Sequence, residues 1–174
     1  MHTSLFFGFR VIGMGNAWRG DDAAGLAVAR RLAATPWPGV RVMACRGDAG
    51  ELQAAWQGAQ GVIVVDAVVS RRPPGTIHRL DALAAGIPLE FSRSPSSHGW
   101  GLAAALALGR VLRELPPMLV IYGIEGQEFN PGRGLSPEVA AAVPEAARRI
   151  REEIFNWQVR LPRLPGPPAG GAAA

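Results

Sequence analysis

No lysine occurs anywhere in the chain, so all 18 basic side chains are arginines, set against 14 acids and a formal charge of +4. A sequence pI near 10.8 would ordinarily suggest a nucleic-acid partner, but an arginine-only set of bases raises the pI by itself. The arginines also come as scattered pairs, Arg30-Arg31, Arg71-Arg72 and Arg148-Arg149, with no basic run interleaved with aromatics. No nucleic-acid partner is expected. Cysteine is nearly absent: Cys45 alone excludes an internal disulfide, which fits a reducing compartment, and a cytoplasmic protein is expected. Its setting, "VRVMACRG", reads as a buried strand rather than a nucleophile's. No apolar run approaches the roughly 20 residues that span a bilayer, and the opening "MHTSLFFGFRVIG" lacks the basic start and small-residue cleavage site of an export signal. Neither a membrane association nor a leader is expected. With 48% hydrophobic and 18% charged residues the composition excludes wholesale disorder.

What is present alternates. "LFFGFRVIG" (5–13) reads as a buried strand and "DDAAGLAVARRLAA" as a helix with apolar residues at helical spacing. "VRVMAC" (40–45) is a second strand, followed by "DAGELQAAWQGA", where Asp48 and Glu51 have capping-box spacing. "GVIVVDAV" (61–68) is apolar as in a sheet covered on both faces. A turn, "RRPPG", leads to a short strand at 76–80, placed at an edge by the prolines. After a looser stretch at 81–95 come a serine-capped helix from "SSHGWG", a last strand in "PPMLVIYGIEG", and a closing helix. That helix is capped at Ser136, with Pro137 in its first turn and Pro144 as a kink or break. One domain is expected over 1–158, with 159–174 a disordered tail rich in Pro, Gly and Ala. The fold class is α/β: a three-layer structure with a twisted, mostly parallel sheet of about five strands and helices on both faces. Ligands of such sheets gather at the carboxyl ends of the strands.

Three chemically distinctive features fall at that end. In "GMGNAWRGDDAAG" (13–25) a dinucleotide loop fails, because Trp18 and Arg19 stand where the third glycine belongs and two carboxylates would repel a phosphate. Asp21 reads as a helix N-cap and Asp22 as a first-turn acid, each worth about 0.3–1 kcal/mol against the helix dipole. Asp66 interrupts a β-branched run where a strand leaves the core; an arginine, a helix amide or a metal would each serve as its partner. His98 follows Ser96 and Ser97, which can cap the helix without it, and a helix N-terminus favours the neutral ring that offers a lone pair to a metal. A loop histidine without a task is the plainer alternative, and that is the reading for His2 and His78. Together Asp22, Asp66 and His98 form a two-carboxylate, one-imidazole set suited to a borderline divalent ion such as nickel or zinc.

The blocks "VIGMGNAWRGDDAAGLAVARRL", "VVDAV", "PPGTIHRLD", "SSHGWGLAAALAL" and "YGIEGQEFNPGRGLSPEVAAAVPEAARRI" resemble, in order and spacing, the nickel-iron hydrogenase maturation endopeptidases across residues 11–154. The resemblance implies a cytoplasmic endopeptidase that removes a short C-terminal extension from a hydrogenase large-subunit precursor after nickel insertion. It also implies a metal site at Asp22, Asp66 and His98, with Gly13, Gly15, Asn16 and His98 as the substrate loop. Nickel carried by the substrate would be the recognition element, the version the family context favours, or the metal would also polarise the scissile carbonyl and activate water. No organic cofactor is expected, and Asp22 and Asp66 are the candidate catalytic residues, as general base. Where many members carry an Asp-Gly-Gly-Thr-like segment, this chain has "CRGDAGEL", and Asp48 reads as a cap. No Ser-His-Asp, Cys-His or His-Glu-x-x-His set is legible. Peptidyl-tRNA hydrolase shares a Gly-x-Gly-Asn opening but places a histidine soon after it, and none lies between His2 and His78. A non-enzymatic metal-binding module is the other alternative.

Overall fold

A computed structural model describes residues 8–84 and 98–161, with residues 98–100 described by backbone alone. The chain runs β1 (Phe9–Met14), a single 3-10 turn (Gly20–Ala23), α1 (Ala24–Ala33), β2 (Val40–Cys45), α2 (Ala49–Trp56), β3 (Gly61–Val68) and β4 (Ile77–Asp81). It closes with α3 (His98–Leu112), β5 (Met118–Glu125) and α4 (Pro137–Arg160). The strands form one sheet in the order β2-β1-β3-β5-β4. All neighbours are parallel except β4, which pairs antiparallel with β5. The expected three-layer α/β architecture is the one observed.

Two apolar cores sandwich the sheet. On one face Val28 and Leu32 of α1 and Val139, Val143, Ile150 and Ile154 of α4 pack on Val11, Ile63, Val65 and Tyr122. On the other, Leu52 and Trp56 of α2 and Leu102 and Leu106 of α3 pack on Ile12, Val62, Val64 and Ile121. The alternation along β3 explains its unbroken apolar sequence, since odd residues feed one core and even residues the other. Every residue of β3 is buried.

Local signals hold at some ends and fail at others. Asp48 caps α2, accepting from Gly50 N–H at 2.9 Å and Glu51 N–H at 3.0 Å. The reciprocal half of the capping box goes elsewhere, as Glu51 Oε2 accepts from the Arg46 amide at 3.0 Å. Ser136 stands at the N-cap of α4, but its side chain makes no cap hydrogen bond. Pro144 does not break α4, which runs on to Arg160 with Pro144 inside it. The edge position of β4 matches its prolines; its reversed direction follows from a β3–β4 connection too short to carry a crossover helix. His2, the Ser96-Ser97 cap, most of the looser stretch and the tail from residue 162 lie outside the described residues.

Candidate active site at the strand-order reversal

β1 hands the chain outward to β2, whereas β3 hands it the other way, so the sheet has a crevice at the carboxyl ends of β1 and β3. The pairing of β1 with β3 ends at Gly13 and Val65, while β3 continues beside β5 as far as Val68 and Glu125. Asp66 is the first residue of β3 past its last pair with β1. It is 4% exposed, and its Oδ1 accepts from the Ala67 amide at 2.9 Å. It sits within β3 rather than ending it, and its even position turns it toward the α2/α3 face.

The loop after β1 supplies the second carboxylate. Gly13 lies within β1, buried beneath α1. Gly15 has φ +139°, and a Cβ there would stand 1.9 Å from the Asp22 carbonyl oxygen, so only glycine lets the loop fold back on the turn that carries Asp22. Asn16 closes the loop by accepting from the Trp18 amide at 2.9 Å. Asp22 is 0% exposed, and the turn that carries it packs against β3.

Asp21 does not cap a helix. Neither the 3-10 turn nor α1 has a side-chain cap. Its carboxylate, 0% exposed, instead accepts four hydrogen bonds from the far end of the chain. Oδ1 takes Ser136 N–H at 2.6 Å, and Oδ2 takes Gln127 N–H at 2.9 Å, Glu128 N–H at 2.9 Å and Ser136 Oγ–H at 3.0 Å. The Asp21 amide in turn donates to Glu128 O at 2.6 Å. A buried charge held by this many donors is satisfied in place. The expected cap is thus a clamp, and Ser136 spends its hydroxyl on the clamp rather than on α4.

His98 opens α3; its imidazole lies outside the described residues. Its helix reaches the same edge of the sheet: a Cβ at Gly101 would lie 1.6 Å from Gly47 O in the loop after β2. Among the described residues no three His, Cys, Asp or Glu side chains gather as metal ligands. The structure therefore packs the turn that carries Asp22 against β3, the strand that carries Asp66, while α3, which His98 opens, meets the loop after β2. Two carboxylates and an imidazole are an oxygen and nitrogen donor set of a kind that borderline divalent cations take.

Comparison with known proteins turns this geometry into an assignment. The family model for hydrogenase maturation protease matches residues 28–153. The chain belongs to the hydrogenase maturation proteases. It is 30% identical over 143 residues to the hydrogenase 2 maturation protease of Escherichia coli K12, covering 80% of this chain and 86% of that one. Its fold is similar to that of the hydrogenase maturating endopeptidase HybD from E. coli, with a TM-score of 0.74, 27% identity and coverage of 86% and 93%. It is similar as well to the NiFe hydrogenase maturation protease HybD from Thermococcus kodakarensis, with a TM-score of 0.60, 28% identity and coverage of 84% and 97%. The chain is thus a member of a family of peptide-bond hydrolases that act on hydrogenases. No helix among the described residues is long and apolar enough to cross a membrane.

Two features of this protease escaped its sequence. Glu125, 1% exposed at the end of β5, accepts from Ser70 N–H at 2.6 Å, Ser70 Oγ–H at 2.7 Å and Arg72 N–H at 3.2 Å. It also meets His78 Nε2 at 3.1 Å, so His78 is part of a half-buried polar cluster around Glu125 rather than an idle edge residue. Asp66 and His78 both register with Gly123 of β5, which puts them in one row across the sheet with a glycine between. The second feature is a cleft of about 570 Å³ between the first loop and the end of β2, lined by Gly15, Trp18, Leu26, Cys45, Arg46 and Glu51 among others. Cys45 in its wall is no nucleophile, because burial pushes its thiol up to about 12.

Proposed function

We propose that this maturation protease removes the C-terminal extension of a nickel-iron hydrogenase large-subunit precursor once nickel is in place, and that the precursor's own nickel is recognised by Asp22, Asp66 and His98. The observation that carries the reading is the burial of Asp22 and Asp66, 0% and 4% exposed, at the strand-order reversal of a chain in this family. Carboxylates in such a place suit a cation brought by the substrate, and three protein ligands without sulfur leave coordination positions for ligands the precursor supplies. Nickel is thus part of the substrate, and the protein needs no organic cofactor.

Hydrolysis adds water across the scissile C–N bond, giving a new carboxyl terminus and a released amine. A general base takes the proton of the attacking water, and a proton is delivered to the leaving nitrogen. Asp22 and Asp66 are the candidates, which makes the chemistry aspartic in type. The amide of Ala67 orients Asp66, and the Asp21 clamp fixes the turn from which Asp22 projects. Gly15 and Asn16 shape the loop beside the substrate. The reading assigns the protein to the cytoplasm, in keeping with a single, free, buried cysteine.

The test presents chelator-stripped protein with precursor that holds nickel and with precursor that does not. Cleavage of only the nickel-loaded precursor is the expected result. Cleavage of nickel-free precursor after zinc is added would make the protein an ordinary metalloprotease and overturn recognition through the substrate's metal.

A further inference from the structure

We propose that Trp18 is a substrate-binding residue of this protease, the apolar anchor on which the polypeptide flanking the scissile bond of the precursor docks. The inference rests on the functional reading above and extends it from the metal to the peptide. The indole is 77% exposed, an unusual state for a side chain that buries on the order of 150–250 Å² when it finds a surface.

The loop that presents it is nonetheless fixed. The Trp18 amide donates to Asn16 Oδ1 at 2.9 Å, and the Trp18 carbonyl accepts from Gly132 N–H at 2.8 Å. Two residues on, Gly20 N–H donates to Arg133 O at 3.1 Å, and the Asp21 clamp follows. The backbone entropy that a binding loop normally loses on docking is already lost here, so contact with the indole is converted into affinity with little offset. Exposed Val111 of α3 and Val159 of α4 lack this setting, since both project from long helices.

The occupant follows from position. Trp18 borders the cleft whose other walls are Leu26, Cys45, Arg46 and Glu51. The same loop runs on into the turn of Asp22 four residues later, which puts the indole and the proposed metal ligand on one fixed segment. The cleft is lined by apolar Leu26 and Cys45 and by polar Arg46 and Glu51, a mixed lining that an extended peptide meets with an apolar side chain and a polar backbone. Aromatic residues held at the centre of a recognition surface are the kind that dominate its energetics.

The experiment measures processing of nickel-loaded precursor over a range of concentrations by wild type, W18A and W18F, with circular dichroism and melting temperature recorded for each. An exposed indole adds nothing to either core, so all three should melt together. The expected result is a KM raised about tenfold or more in W18A with kcat within about twofold, and most of the loss recovered in W18F. A W18A protein with the wild-type KM overturns the proposal, as does a fall in kcat at unchanged KM. Wild type that leaves nickel-loaded precursor intact would overturn the functional reading and this inference together; a W18A indistinguishable from an active wild type would overturn this inference alone.

Discussion

Replacing Asp21 by alanine removes the acceptor of four hydrogen bonds, three of them from backbone amides at Gln127, Glu128 and Ser136 and one from the Ser136 hydroxyl. Hydrogen bonds to a charged group contribute about 1.5–3 kcal/mol each, but these four share one carboxylate, whose own desolvation is relieved when it goes. Each buried donor left without an acceptor costs about 1–3 kcal/mol, so a net loss of about 3–5 kcal/mol is expected after that relief. In a domain of this size that lowers the melting temperature by roughly 6–20 °C. Asp48 supplies the internal control: it too is an aspartate ahead of a helix, yet it bonds only the amides of Gly50 and Glu51 at an exposed site, and D48A should cost about 0.5–2 kcal/mol. D21N should fall between, since its amide oxygen can keep the donors on the Oδ2 side while its NH₂ confronts the Ser136 N–H. Urea unfolding of the three variants, read at constant m-value, decides the matter. If D21A loses no more stability than D48A, the carboxylate is not a clamp and the reasoning fails.

D66A and H98A should each abolish processing of nickel-loaded precursor while keeping native far-ultraviolet dichroism; wild-type conversion by both variants would remove the metal assignment. Leu161 packs against the core around α4 and donates to Trp157 O at 3.0 Å, so a chain ending at Leu161 should be as stable and active as the full chain. One ending at Arg160 should lose about 1 kcal/mol in the same urea assay. Burial disfavours the thiolate of Cys45 and pushes its thiol up to about 12. Iodoacetamide at pH 8 should therefore leave the folded protein unmodified and label it promptly in urea.

Periodicity carried the architecture because each strand and helix announces itself locally. The run of 61–68 had to lie between two covered faces, and prolines ahead of 77–81 put that strand at an edge. The site was legible only where its chemistry is local to one segment. Asp48 finds its partners two and three residues on, and the sequence reads it correctly as a cap. Asp21 looks the same over that distance, yet its partners lie 106, 107 and 115 residues away, a separation at which no spacing rule operates. His78 and Glu125 are 47 residues apart and become neighbours only through the register of β4 on β5. The cleft beside Trp18 had no signature either, since a hollow between two loops is a property of the assembled sheet edge.

β3 and β4 follow one another in the chain but are not neighbours, because β5 lies between them. As the polypeptide leaves the ribosome, β4 therefore has no place to dock until β5, beginning at Met118, has emerged. The donors that close on Asp21 come later still, ending at Ser136. A nascent chain halted before β5 has neither a complete sheet nor a clamped Asp21, and one halted between Glu125 and Ser136 has every strand but an incomplete clamp. The turn that carries Asp22 is thus among the last parts of the molecule that synthesis can fix in place.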